Sequence, residues 1–319
     1  MSQTVRELHE KRMKMWDESI LNHKKYIDQK TGIFLEKYTK KRNCPVCGSS
    51  NELKIFFKEG GRYVKCKDCT MVYLNPVFQD FALKEYYELN HVEQSVVVEK
   101  DTDNFYVNLY SNGLDDIKNS SQKTSTILDI GCSSGTFLDL ARERGMNTFG
   151  IELNQKEYEF AKQKGHRVYN ELLENINFSK KFDVVTLWDV FEHLIDGEFY
   201  LNEIKKVLSQ DGRIFLQIPS SDSLAAKILR EKCNMYDGLE HVNLYGIETI
   251  KILAKKCDLE ILSMKSVISE IGVINNYFNN EDPYLGTTKN KTFIPNLIDE
   301  NTVHQTLQGY KLQIILGMK

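Results

Sequence analysis

Proline is scarce in this chain, with five in 319 residues, and tryptophan is scarcer still, with two. So little proline, with only 18 glycines and no internal repeat, excludes a collagen-like, proline-rich or tandem-repeat protein. No apolar run approaches the roughly 18 residues that a membrane span needs, and the opening MSQTVRELHEKRMK lacks the apolar centre of a signal peptide. A cytoplasmic protein is therefore expected. Neither charge sign dominates: 42 basic and 45 acidic residues leave a net −3, which speaks weakly against a dedicated nucleic-acid binder. What is present is a globular composition, 41% hydrophobic, 27% charged and 11% aromatic, too apolar for a disordered chain. Its length exceeds one typical domain, so one large or two unequal domains are expected.

The average charge conceals a division. Residues 1–75 hold 16 Lys and Arg against 9 Asp and Glu, whereas residues 76–319 hold 26 against 36. Residues 1–43 place Val5, Leu8, Met15, Trp16, Ile20 and Ile27 among many charges, with no proline and no glycine before Gly32, which predicts a helical arm. Within it, the basic run Lys40-Lys41-Arg42 reads first as a solvated face. Residues 44–76 hold four cysteines in pairs, Gly60-Gly61 and Pro76, so short strands and turns are expected in a small separate module. Residues 77–123 combine aromatics such as Phe78, Tyr86 and Tyr110 with the polar end NSSQKTS, predicting a helical connector and a loop.

From residue 124 the pattern alternates. Strand-like runs at 126–131, 147–152, 166–169, 182–188 and 213–218 are separated by helix-like runs at 136–144, 155–164 and 199–208. A helix at 247–257 and strands at 259–267 and 310–318 complete a domain over 124–319. Such alternation is the mark of an α/β fold with a parallel sheet. After its first strand, ILDIGCSSGTFL sets a tight turn directly before a helix, the arrangement that holds a nucleotide-like ligand at a strand's carboxyl end. Gly131 permits close backbone approach and Gly135 eases entry to the helix. Glu152 closes the second strand, where a carboxylate accepts hydrogen bonds from ribose hydroxyls. With one glycine fewer than the dinucleotide fingerprint, the loop disfavours a pyrophosphate cofactor.

The series LDIGCSSG, GIEL, FDVVTLWDVFEHL and DGRIFLQIP resembles the successive motifs of class I S-adenosylmethionine-dependent methyltransferases. That resemblance covers residues 124–319 and implies a Rossmann-like seven-stranded sheet whose last strand inserts antiparallel beside the fifth. It also implies that Asp129 and the loop Gly131–Gly135, including Cys132, surround the methionine part of the cofactor, that Glu152 holds the ribose and Leu153 packs on adenine. Trp188 and Asp189 would border cofactor and acceptor. Cys132-Ser133-Ser134 departs from the glycine or alanine usual in this loop.

Cys44, Cys47, Cys66 and Cys69 form C-x2-C-x18-C-x2-C. Two such knuckles supply the tetrahedral all-sulfur shell of a structural Zn2+, with no position left for water. A module of this size buries too little apolar surface to fold alone, and metal binding supplies the missing free energy. Paired disulfides are the competing reading, disfavoured in a reducing compartment. The other three cysteines, Cys132, Cys233 and Cys257, read as buried thiols.

Methyl transfer from a sulfonium is an in-line displacement, and a hydroxyl or carbon acceptor also needs a base. His193, in DVFEHL, and His241, in GLEHVNLYG, both fall where loops would leave the carboxyl edge of the sheet. Glu240-His241 followed by Tyr245 resembles an acidic-His stretch of zinc-containing bacterial sugar methyltransferases, in which the matching histidine is the general base. The expected function is therefore methyl transfer to a small-molecule acceptor, a sugar nucleotide or surface-polysaccharide precursor, with His241 as base. Zinc-ribbon RNA methylation is a second reading, carried by the basic first 75 residues. A third is a non-enzymatic, zinc-dependent interaction protein. The acceptor atom and the oligomeric state stay open.

Overall fold

The computed structural model describes residues 21–89, 105–121, 123–284 and 298–319. Residues 1–20 of the expected arm lie outside them. In the described part, residues 24–43 are not one helix. Two short 3-10 turns, Lys24–Tyr26 and Glu36–Tyr38, flank a bridge between Ile27 and Phe34, and strand β1 (Thr39–Lys40) follows. The cause is local: the Asp28 carboxylate accepts from the backbone N–H groups of Lys30 and Thr31, and Gly32 takes a φ of 68°, which closes a turn where a helix would have continued.

The cysteine-bearing module consists of β2 (Glu52–Lys58), β3 (Gly61–Cys66) and β4 (Val72–Leu74), antiparallel in sequence order, after which β5 (Val77–Phe78) pairs with β1. Helices α1 (Asp80–Leu89) and α2 (Phe105–Ser120) follow. α2 is more than a connector. Its Leu109, Leu114 and Ile117 are buried in one cluster with Ile127, Phe137, Trp188 and Phe215, and at Gly113 a side chain would collide with the Trp188 ring. This helix therefore belongs to the large domain that the sequence pattern placed from residue 124.

That domain runs β6 (Thr126–Ile130), α3 (Thr136–Glu143), β7 (Asn147–Ile151), α4 (Gln155–Gln163), β8 (Arg167–Tyr169), β9 (Phe182–Trp188), α5 (Gly197–Val207), β10 (Leu208–Pro219) and α6 (Leu224–Leu229). There follow β11 (Asn243–Leu244), α7 (Ile247–Lys256), β12 (Leu259–Val267), α8 (Ile271–Phe278), α9 (Glu300–Gln305) and β13 (Lys311–Met318). Seven of these strands form one sheet in the order β12-β13-β10-β9-β6-β7-β8. β13 is antiparallel to both neighbours, as expected for the final strand, while β8, β7, β6, β9 and β10 are parallel. β9 is buried along its whole length because helices cover both faces, so its sequence is a continuous apolar run apart from Asp183 and Thr186. From β6 the chain steps outward to β7 and β8 and then crosses back to β9, so the carboxyl ends of β6 and β9 border the crevice where such sheets bind ligands.

The small module is not separate. β11, from the large domain, pairs with β4 and completes a four-stranded sheet, β11-β4-β3-β2. Cys44, Val46, Val64, Met71 and Tyr73 share one buried cluster with Leu128, Ile204 and Tyr245 of the large domain. Contact is backbone on backbone at one point: a Cβ at Gly61 would strike the carbonyl of Gly238, and one at Gly238, whose φ is 85°, would strike the carbonyl of Lys58.

Candidate active site

At the end of β6 the chain turns through Gly131, with φ 75°, and a side chain there would meet Val190 Cγ2 at 2.5 Å. Gly135, with φ 80°, serves as N-cap of α3. Asp129 is buried, accepts a hydrogen bond from Thr186 Oγ1 at 2.6 Å, and burial pushes its carboxyl up to about 8. Glu152 holds the loop from across the crevice: its Oε2 accepts from the Ser133 N–H at 2.8 Å and its Oε1 from the Asn154 N–H at 2.7 Å. Burial raises its carboxyl above the ordinary range, against the pull of these two N–H groups. The serine departure is answered within the loop, since Ser133 Oγ donates to Glu157 Oε2 at 2.8 Å. Cys132 turns its sulfur inward against Gly150, so only its backbone faces the crevice. Leu153 is 56% exposed, an apolar side chain left available for a flat ring.

Trp188 and Asp189, expected as neighbours on the crevice wall, separate. Trp188 is packed among Tyr110, Phe137 and Phe215, with ring centroids 4.8, 5.1 and 4.5 Å away, and serves as a core anchor. Asp189 instead is held at φ 54° at the strand's end, accepting from Gln217 Nε2 at 3.1 Å and paired with Lys311.

The two histidines, 48 residues apart in the chain, meet edge to face with ring centroids 4.8 Å apart. His193 ends a 3-10 turn, Phe191–His193, and burial together with the neighbouring His241 depresses it to about 4. His241 is fixed from below. Asp237 accepts the N–H groups of Leu239, Glu240 and His241 at 2.9 to 3.1 Å, and the His241 ring lies 2.7 Å from the Met235 carbonyl through Nδ1. A carbonyl only accepts, so Nδ1 carries the proton and Nε2 of the neutral ring is the free base. Burial lowers the His241 pKa, and the carboxylates of Asp237, Glu192 and Glu240, with the Met235 carbonyl, more than reverse it, so the net shift is upward.

Two groups join this cluster that the sequence reading did not single out. Glu192 is 1% exposed, its Oε1 stands 4.0 Å from His241 Nε2, and burial with the adjacent Asp189 pushes its carboxyl up to about 8. Tyr86, from α1, donates to Glu240, whose carboxyl is raised to about 7 by burial and by Asp237. The EH pair had drawn attention to His193 alone, and nothing in the pattern of α1 marks Tyr86 as different from Tyr87.

Residues 106–264 match the model of a family described as a methyltransferase domain. Just under half of the chain thus carries a methyltransferase domain, and it lies on the seven-stranded sheet described above. Among curated proteins it is similar to the ubiquinone biosynthesis O-methyltransferase of Pelagibacter ubique, 31% identical over 102 residues, which are 30% of this chain and 42% of that protein. An uncharacterised protein of Methanocaldococcus jannaschii is 26% identical over 136 residues, 43% of this chain and 59% of that one. The chain thus spans about two-fifths to three-fifths of these relatives' length. Among solved structures, an S-adenosylmethionine-dependent methyltransferase from Clostridium acetobutylicum aligns with TM-score 0.46 at 14% identity, covering 74% of this chain and 97% of that one.

Beside the methyltransferase domain, the four cysteines converge as the spacing predicts. Cys44 Sγ lies 3.4 Å from Cys69 Sγ and Cys47 Sγ 3.5 Å from Cys66 Sγ, and all four fall within 4.8 Å of one another. Four sulfurs each about 2.3 Å from a zinc ion would stand about 3.8 Å apart, so the donor set fits that metal. The knuckles share one hydrogen-bond pattern: Gly48 N–H to the Cys44 carbonyl at 2.9 Å and Thr70 N–H to the Cys66 carbonyl at 3.1 Å, each with the donor residue at positive φ. Burial pushes the Cys44 thiol up to about 11. No helix among the described residues is long and apolar enough to cross a membrane.

Proposed function

We propose that this chain is an S-adenosylmethionine-dependent methyltransferase acting on a small-molecule acceptor, with His241 as general base. The observation that carries the reading is the His241 ring, tied by Nδ1 to Met235 and leaving Nε2 free beside His193 at the same edge of the sheet as the Gly131–Gly135 loop. Bound S-adenosylmethionine supplies an electrophilic methyl group on a sulfonium. The protein's part is positional. Glu152 would exchange its Ser133 contact for ribose hydroxyls, Leu153 would cover the adenine, and Asp129 and Gly131 would flank the amino-acid end. Asp237 keeps His241 oriented, and the carboxylates around it hold its pKa up, so that it takes a proton from a hydroxyl or an acidic carbon as the methyl group arrives. His193, kept neutral by burial, contributes an uncharged hydrogen-bonding wall.

A structural Zn2+ on Cys44, Cys47, Cys66 and Cys69 would stiffen the module that forms one side of this acceptor cleft. For the acceptor itself, a sugar nucleotide or glycan precursor is the finer reading. It rests on the Glu240-His241 stretch lying against a cysteine module, a juxtaposition now joined through β11. The test is to replace His241 by Ala and to measure methyl transfer to a panel of sugar nucleotides alongside S-adenosylmethionine affinity by calorimetry. Turnover should fall at least about 100-fold with affinity changed less than about twofold. Unchanged turnover would remove His241 as the base, and absence of cofactor binding by the unaltered chain would remove the enzymatic reading altogether.

A further inference from the structure

One guanidinium joins the three segments that surround the histidine pair. Arg42 leaves β1 just ahead of Cys44, and its side chain runs inward. Nε donates to the Leu74 carbonyl at 3.1 Å, Nη1 to the Ile195 carbonyl at 3.1 Å, and Nη2 to the Val242 carbonyl at 2.6 Å and to Asn243 Oδ1 at 2.9 Å. Its charged plane lies over the Tyr73 ring, 5.3 Å from the centroid. Asn75 holds the Arg42 backbone from both sides, accepting its N–H at 3.0 Å and donating to its carbonyl at 2.9 Å.

The acceptors are informative by what they are and where they sit. All four are neutral, so the fork serves as a template for carbonyl directions and not as half of an ion pair. Leu74 belongs to the cysteine module, Ile195 lies two residues after His193, and Val242 directly follows His241. Asn243 closes the frame, donating through Nδ2 to the carbonyls of Leu194 at 2.6 Å and Ile195 at 3.3 Å. Attachment of the module to the domain does not depend on this frame. Tyr63 already bridges Gly238 N–H and the His241 carbonyl, at 3.2 Å each, and Lys256 Nζ reaches the Val46 carbonyl at 2.9 Å. What Arg42 adds is the register of residues 195 and 242 relative to each other, and a planar fork fixes that register as a lysine's single rotatable ammonium does not.

We infer that Arg42 is a positioning residue: through the Ile195 and Val242 carbonyls it sets the spacing of His193 and His241, and through Leu74 it ties that spacing to the cysteine module. The inference rests on the reading of the histidine pair as the acceptor side of the site, but it is tested without turnover. The charged and titratable groups facing the pair, Asp189, Glu192, Asp237 and Glu240, are the same in every variant below.

In the full-length, metal-loaded chain, the imidazole titrations of His193 and His241 are followed by NMR in Arg42→Gln and Arg42→Lys, with S-adenosylmethionine affinity and metal content measured on the same samples. Resonances are assigned from His193→Gln and His241→Gln. With the frame cut, water enters and the rings part, so the His193 midpoint should climb by about one pH unit in Arg42→Gln. Arg42→Lys should recover less than half of that change, while cofactor affinity stays within about twofold and metal content is unchanged. Unmoved midpoints in a folded variant overturn the inference. So does a parallel loss of cofactor affinity, which would make Arg42 a general support of the core. Should Arg42→Gln not fold, Asn243→Ser must reproduce the histidine change, and failure of both variants to fold also overturns it. A failed base assignment reads differently: His241→Ala would keep its turnover whatever the titrations show.

Discussion

Around Glu152 every partner is near in sequence: Asn154 is two residues away, Asn170 18 and Ser133 19. Around His241 the near partners, Met235 and Asp237, are joined by Tyr63, 178 residues distant, and its neighbour Val242 is held by Arg42 at a distance of 200. The half proposed for the cofactor is thus a self-sufficient strand–loop–helix unit, whereas the half proposed for the acceptor is assembled from the cysteine module, α1 and two loops. A local unit specifies its ligand contacts once its own backbone is formed. A composite one depends on how separate segments settle against each other, and so it is the half that can change acceptors while the other keeps its cofactor.

The comparison breaks most directly at the backbone contact between the two parts. Gly238→Ala should destabilise the chain by roughly 3 kcal/mol, since the new methyl group meets the Lys58 carbonyl in a left-handed conformation. Thermal unfolding followed separately by tyrosine signal and by cofactor protection would show the acceptor side loosening first. Equal loss on both sides would dissolve the distinction. Next in size, Glu152→Ala should weaken S-adenosylmethionine binding roughly 30-fold while His193 and His241 keep their titrations, because only contacts in the local unit are lost. A smaller effect is set by pH. With its pKa raised, His241 is a free base only above the ordinary imidazole range, so turnover per bound acceptor should rise as pH climbs through that value and level off beyond it. The same shift means that the attraction of protonated His241 to Asp237 is fully present below the unfolded imidazole's pKa and is lost as pH rises through the folded one. Asp237→Asn should move the rise to lower pH; a profile that stays in place would detach the carboxylate from the base.

What could be read from sequence follows the same division. The alternation of strands and helices, the loop from Gly131 to Gly135 and the paired knuckles are short-range patterns, and the fold reproduces them; the antiparallel last strand, which only the family resemblance implied, is there as well. β11 is two residues long and carries no periodicity, so its place in the module's sheet had no local signal. Arg42 looked like the third residue of a solvated basic run. Lys40 and Lys41 are indeed exposed, and only the tertiary arrangement of carbonyls draws Arg42 inward. Trp188 was expected on a crevice wall because, at the end of β9, it matches a position that borders cofactor and acceptor in the family the sequence resembles; Tyr110, from a helix outside the alternating pattern, turns its surroundings into core. The arm's helix failed beyond residue 24 for a reason that was legible, the Asp28 to Gly32 turn, which the weak apolar spacing masked.

The sheet of the cysteine module is finished by a strand from far down the chain, since Asn243 pairs with Tyr73. During synthesis the first three strands and all four cysteines emerge long before that strand exists. The edge of β4 must then wait, open, while five of the seven strands of the methyltransferase sheet are made. Metal captured early would hold the knuckles together through this interval, so the ion's value to the cell would lie as much in guarding an unfinished sheet as in stabilising the finished one.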